Sequence, residues 1–209
     1  MTTTNMAFVR QLMTDGDVLP RARAIVMARI LCRADIVAHL TQHGRYVRSG
    51  QLPTHMQAVY TATERAMRGQ SPTESVTRAV RRHGQTGVTR EQQVYVWATT
   101  VDAYFSAGRL AGLRPSESDL WAYHARSLVF GRTFGVDGSS YGTVERIEQL
   151  SARLLGRITP INVPNGGWGA IEQVVGASWY LKDSSLTAAD ALSAVEETTP
   201  PQLLAALRR

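Results

Sequence analysis

An all-α fold is what this 209-residue chain predicts: a single helical domain of about seven to nine helices, with a C-terminal helical arm or subdomain. Three observations predict it. Apolar residues recur three and four apart along most of the chain. Helix-start motifs of a Ser or Thr followed three residues later by an acid or Gln are matched by glycine stops. No segment sustains a period-two alternation with β-branched enrichment.

The elements follow in order. Pro20 suits a first helical position, and Ile25, Val26, Ile30, Ile36, Val37 and Leu40 continue the apolar series to a stop at Gly44. A second helix opens at Pro53 and ends at Gly69. The third is marked by Ser71-Pro72-Thr73-Glu74, a capping box, and stops at Gly84. Thr89 to Gln92 repeats that logic before a long helix burying Val96, Val101, Tyr104 and Phe105, with Gly108 and Gly112 loosening its end. Ser116 to Asp119 starts the next, running through Trp121, Ala125, Leu128 and Val129. Gly135 to Gly142 holds too many turn formers for regular structure and reads as an exposed hinge or contact loop. Thr143 to Arg157 resumes a helix with a stripe of Val144, Ile147, Leu150 and Leu154.

Two prolines and Pro164-Asn165-Gly166-Gly167 then forbid a continuous helix, so the chain divides into a basic helical core (1–157), a Pro/Gly hinge (158–167) and a C-terminal segment (168–209). That last part predicts a helix over 168–181, one capped by Thr187 with Asp190, and one begun at Thr199-Pro200-Pro201. The final apolar segment, Leu203 to Leu207, fits either a dock on its own domain or a contact with a neighbouring subunit.

Charge sharpens this division. Twenty-two arginines stand against the single Lys182, and the net charge is +6. Guanidinium is planar, always charged and forked to match phosphate, which lysine is not. G/C-rich coding also favours arginine over lysine, but it does not place the residues. Residues 1–157 carry 20 arginines against 12 acids, and residues 158–209 carry three basic residues against five. A polyanion-binding surface therefore belongs to the first part.

Other chemistries find little support. Charged residues make up 19% and apolar residues 44%, a globular composition. No apolar run approaches the roughly 18 residues of a membrane span, and the start lacks the order of a signal peptide. Cys32 is a lone buried thiol suited to a reducing compartment. His39 and His43 share a helix face, but Leu40 stands where a zinc protease has its glutamate and no third ligand follows. No catalytic residue, cofactor, metal or small-molecule substrate is expected.

Arginine spacing carries the remaining signal. Arg78, Arg81 and Arg82 lie at i, i+3 and i+4, with no acid between them, on one side of the third helix. Arg146, Arg153 and Arg157 share another face, interleaved with Glu145 and Glu148 as in an ion-paired surface. Arg126 and Arg132 sit in the span from Tyr95 to Tyr141, which holds nine of the fifteen aromatics. Interleaved arginine and aromatics suit single-stranded nucleic acid, which stacks its bases while its phosphates are neutralised. Spacing puts most of these rings in the core and leaves Tyr123, Tyr141 and Arg132 for contact.

The helix Trp121 to Phe134, the loop with Ser139, Ser140 and Thr143, and the helix ending at Ala152 to Arg157 together resemble the core of flexuous filamentous plant-virus coat proteins. The likeness covers under a fifth of the chain and matches no motif residue for residue. It implies a helical core that polymerises on single-stranded RNA through terminal arms, with a Ser, an Arg and an Asp gripping the backbone. Arg126, Arg132, Asp137 and Ser139 stand where those roles would fall.

The sequence thus points to a nucleic-acid-packaging subunit, in a virion or the cytoplasm, that binds single-stranded RNA nonspecifically and associates with itself. Alternatives are a helical DNA-binding regulator, with a helix-turn-helix between Gly69 and Gly84, and a protein-only structural oligomer such as a phage adaptor.

Overall fold

The computed structural model describes residues 7–31, 90–156, 186–199 and 201–209, with further positions at 62–63, 65–68, 70, 73–75, 77–78, 81, 168–169 and 171–172. The fold is all-α. Among the described residues there are seven helices and no strand: α1 (Ala7–Thr14), α2 (Val18–Leu31), α3 (Arg90–Leu110), α4 (Glu117–Thr133), α5 (Val144–Gly156), α6 (Ala188–Thr198) and α7 (Pro201–Leu207). A 3₁₀ turn, Gly138–Tyr141, stands between α4 and α5.

The centre of the bundle is α3, in which every residue from Val94 to Phe105 is buried. A helix apolar on one stripe needs one neighbour; a helix buried all round needs several. Here α2 and α5 pack along it, α4 and α6 touch it, α6 lies on α2, and α1 bridges α2 and α4. The Thr99 hydroxyl is buried without a hydrogen-bond partner among the described residues, but other polar groups of α3 are satisfied inside. The Thr100 hydroxyl donates to the Val96 carbonyl at 2.6 Å, and Asp102 accepts from Ser106 Oγ at 3.0 Å and from the Arg29 guanidinium of α2. Arg29 also donates to the Thr198 carbonyl at 3.3 Å, which ties the C-terminal helices to this core.

Several helix ends form where local chemistry predicts them. Ser116 caps α4 in a box with Asp119, and Thr187 caps α6 in a box with Asp190. Gly112 (φ 81°) and Gly135 (φ 71°) end α3 and α4. Around each, the two reverse hydrogen bonds of a Schellman motif form, Leu113 N to Gly108 O and Gly112 N to Arg109 O, then Val136 N to Gly131 O and Gly135 N to Arg132 O. The α5 stripe of Val144, Ile147, Leu150 and Leu154 is buried as its spacing predicts.

Other expectations need correction. The helix expected from Pro20 begins at Val18, where Asp15 Oδ1 accepts the amides of Asp17 and Val18. Pro20 stays in the first turn, where no intrahelical donor is lost. The helix α1 was not expected at all, although Phe8, Val9, Leu12 and Met13 form its buried face. The buried face of α4 is Asp119, Ala122, Tyr123, Ser127 and Phe130, so Trp121 and Ala125 point outward. Apolar residues occur all round α4, and a spacing rule cannot choose among them.

The Gly135 to Gly142 loop is exposed only along its rim. Val136 and Gly138 are buried, and the loop closes over Trp97, whose ring lies 5.5 Å from that of Tyr141. Glycine is needed here for room. A Cβ on Gly138 would stand 2.6 Å from Trp97 Cζ2, and one on Gly131 would stand 3.0 Å from Trp97 Nε1. That nitrogen donates to the Ser127 carbonyl at 2.9 Å.

Leu207 of α7 is fully buried, and Arg208 pairs with Glu196 at 2.7 Å. The hinge 158–167, Cys32, His39, His43, the Ser71 cap and Arg82 lie outside the described residues.

Candidate nucleic-acid interface

Three arginines from three separate segments converge on one cleft. Arg10 projects from α1, Arg68 follows the helical residues 65–67, and Arg126 comes from the middle of α4. Together with Val9, Met13 and Met67 they line a space of about 580 Å³. On α1 the residues Val9, Arg10, Met13 and Thr14 line it, the pattern of one helix face. Hydrophobic burial of Val9, Met13 and Met67 fixes the floor; Arg10 and Arg68 are exposed and Arg126 is half-buried. Among the described residues no acid lines the cleft, and none of the three arginines has a carboxylate partner. Three guanidinium groups over an apolar floor, unpaired with acids among the described residues, are an arrangement able to bind an anion, since each retains its fork of donors.

The sequence-predicted residues fall into three groups. Arg126 belongs to this cleft. Arg132, Asp137 and Ser139 meet at the rim of the α4–α5 loop. There the Asp137 carboxylate accepts from the Ser139 hydroxyl at 2.5 Å and from its amide at 3.1 Å. Those bonds, aided by Arg132 and Arg90, hold its carboxyl below the usual value. Arg90 also donates to the Gly135 carbonyl. Asp137 and Ser139 thus cap the 3₁₀ turn, and the nearby arginines are partly offset by the acid.

Arg78 and Arg81 form the third group, exposed on a helical segment and lining neither site. Arg78 is already bonded to Glu74 one turn earlier, at 2.8 Å. Both partners are well exposed, so that pair is worth little and leaves the guanidinium exchangeable.

Two sequence readings change here. Tyr123 cannot stack on a base: it is fully buried, its hydroxyl donates to the Val101 carbonyl at 2.5 Å, and its ring packs against Phe8 and Phe105 at 5.9 and 5.4 Å. Burial raises its pKa well above 10.0. Tyr141 is half-buried on Trp97. Of the series expected to be ion-paired, Arg146 and Arg153 have no acid partner among the described residues, Glu148 pairing instead with Arg109 of α3 at 3.3 Å, and Arg157 lies outside the described residues.

No family model, curated protein or solved structure matches the chain. A functional reading therefore rests on these residues alone.

Sequence reasoning missed Arg10 and Arg68, because each stands alone in its own segment. The signal for Arg10 was the amphipathic spacing of Phe8, Val9, Leu12 and Met13, which defines a helix with Arg10 on its outer side. Nothing local joins Arg10 to Arg68 or Arg126; only packing does. Among the described residues no group of three or more His, Cys, Asp or Glu is placed to hold a metal ion, and no helix is long and apolar enough to cross a membrane.

Proposed function

We propose that this chain is a nucleic-acid-packaging protein that binds single-stranded RNA nonspecifically through arginine–phosphate contacts and associates with itself. The observation that carries this reading is the convergence of Arg10, Arg68 and Arg126 on a cleft that no acid lines among the described residues. Exposed Arg81, Arg146 and Arg153, also without acid partners among the described residues, extend the positive surface around the bundle. Arg78 and Arg132 add phosphate contacts at the edges, Arg82 is assigned the same role from its place in the sequence, and Asp137 and Ser139 order the loop that follows Arg132 at the end of α4.

Binding of this kind reads the backbone and not the bases. Its affinity falls as salt rises, because each neutralised phosphate of a single strand releases about 0.7 counterion. The test is a titration of labelled poly(U) and poly(A) over a series of salt concentrations, for the wild type and for Arg10→Gln/Arg68→Gln/Arg126→Gln. The reading expects similar affinities for the two polymers and a salt slope shallower by about 2 in the triple variant. An unchanged slope removes the cleft from the interface, and tight binding to one duplex DNA sequence alone replaces the reading with a regulator.

A further inference from the structure

A second depression, of about 210 Å³, lies between the first turns of α4 and α5, lined by Glu117, Leu120, Trp121, His124, Val144 and Glu145 among others. It is smaller than the roughly 300–1,000 Å³ of clefts that enclose a whole small ligand. A single side chain is the guest it suits. Trp121 is 62% exposed, a large apolar surface given to solvent while most of the chain's other described aromatics are buried. His124 stands edge-on to it, with ring centroids 6.5 Å apart at 74°.

The polar groups around the indole share one character. Neither Glu117 nor Glu145 is paired with an arginine among the described residues. The Thr143 hydroxyl and a backbone amide hold the Glu145 carboxyl below its ordinary value, with His124 adding to the effect. Burial pushes the His124 pKa down, against the pull of Glu145. An open indole face and two carboxylates on a chain of net charge +6 form a site for a cation with several donors. Guanidinium meets both requirements: its plane stacks on the indole while its edge donates to carboxylate.

We propose that this pocket receives an arginine side chain from a second copy of this chain. Each copy supplies both halves, since Arg81, Arg146 and Arg153 are exposed and without acid partners among the described residues. The inference deepens the self-association half of the proposed function and rests on it, but not on RNA.

Sedimentation of the full-length protein, freed of nucleic acid by nuclease, tests the proposal. The wild type should self-associate, and both Trp121→Ala and Glu117→Gln/Glu145→Gln should weaken association by roughly tenfold. Trp121→Phe should retain most of it, because a ring face remains. Added free arginine should dissociate the assembly more than lysine at equal ionic strength. A monomeric wild type, or a Trp121→Ala protein that associates as the wild type does, overturns the proposal. Poly(U) binding by the same variants separates the two readings: a Trp121→Ala monomer that still binds RNA, and an Arg10/Arg68/Arg126 variant that associates without binding RNA, place the two functions on separate surfaces.

Discussion

The backbone amide of Phe8, in the first turn of α1, donates to the buried carboxylate of Asp119 in α4 at 3.0 Å, across 111 residues of sequence. The same carboxylate accepts the Ser116 amide at 2.9 Å and the Ser116 hydroxyl at 2.7 Å as the acid of the α4 capping box. One side chain therefore satisfies the starts of two helices. It also fixes α1, and with it Val9, Arg10 and Met13, at the mouth of the arginine cleft.

Asp119→Asn should cost about 1–3 kcal/mol, since it leaves buried donors poorly paired. Burial pushes the Asp119 pKa up, but the Phe8 amide and the Ser116 hydroxyl and amide outweigh it and hold it below the ordinary 3.8. A lowered folded-state pKa contributes stability that is present above the unfolded value and is lost as pH falls through the folded one. Urea unfolding at about pH 7 and about pH 3 should show the wild type losing part of this term and Asp119→Asn losing less.

Breaking the Arg29–Asp102 pair from one side should be far worse than replacing both partners. The two side chains are 8% and 7% exposed. Arg29→Met alone leaves a buried carboxylate and should cost about 3–5 kcal/mol. Arg29→Met/Asp102→Leu should recover a substantial part of that loss. A double-mutant cycle by chemical denaturation measures the coupling.

Gly138 and Gly135 should respond to alanine for different reasons. Gly138→Ala drives a methyl into Trp97 and Leu128, at 2.6 and 2.9 Å, and should cost about 1–3 kcal/mol. Gly135→Ala meets nothing within 4 Å but must hold φ 71°, and should cost about 1 kcal/mol. Thermal melts should separate them, each kcal/mol being about 2–4 °C in a chain of this size.

Arginines at the cleft should matter more to RNA binding than the exposed pair on the 73–81 segment. Arg126→Gln removes a cation with no acid partner among the described residues, whereas Arg78→Gln removes one already shared with Glu74. Poly(U) titration at low salt should show the larger loss for Arg126→Gln. Equal losses would move the interface toward Arg78 and Arg81.

What the sequence determined by itself was local. The helical class followed from spacing, and the boxes at Ser116 and Thr187 followed from residues three apart, because a cap is made within one turn. The stripe of α5 was legible because its other face is polar. In α3 and α4 apolar residues occur all round, so periodicity alone could not say that Tyr123 is fully buried while Trp121 is 62% exposed. Clusters of arginine near one another in sequence were equally visible, yet the three that share a cleft stand at 10, 68 and 126. Tertiary structure alone decided that grouping: the long-range bond from Phe8 to Asp119 and the burial of Met13 and Met67 bring distant helices together, and no local pattern encodes which helices meet.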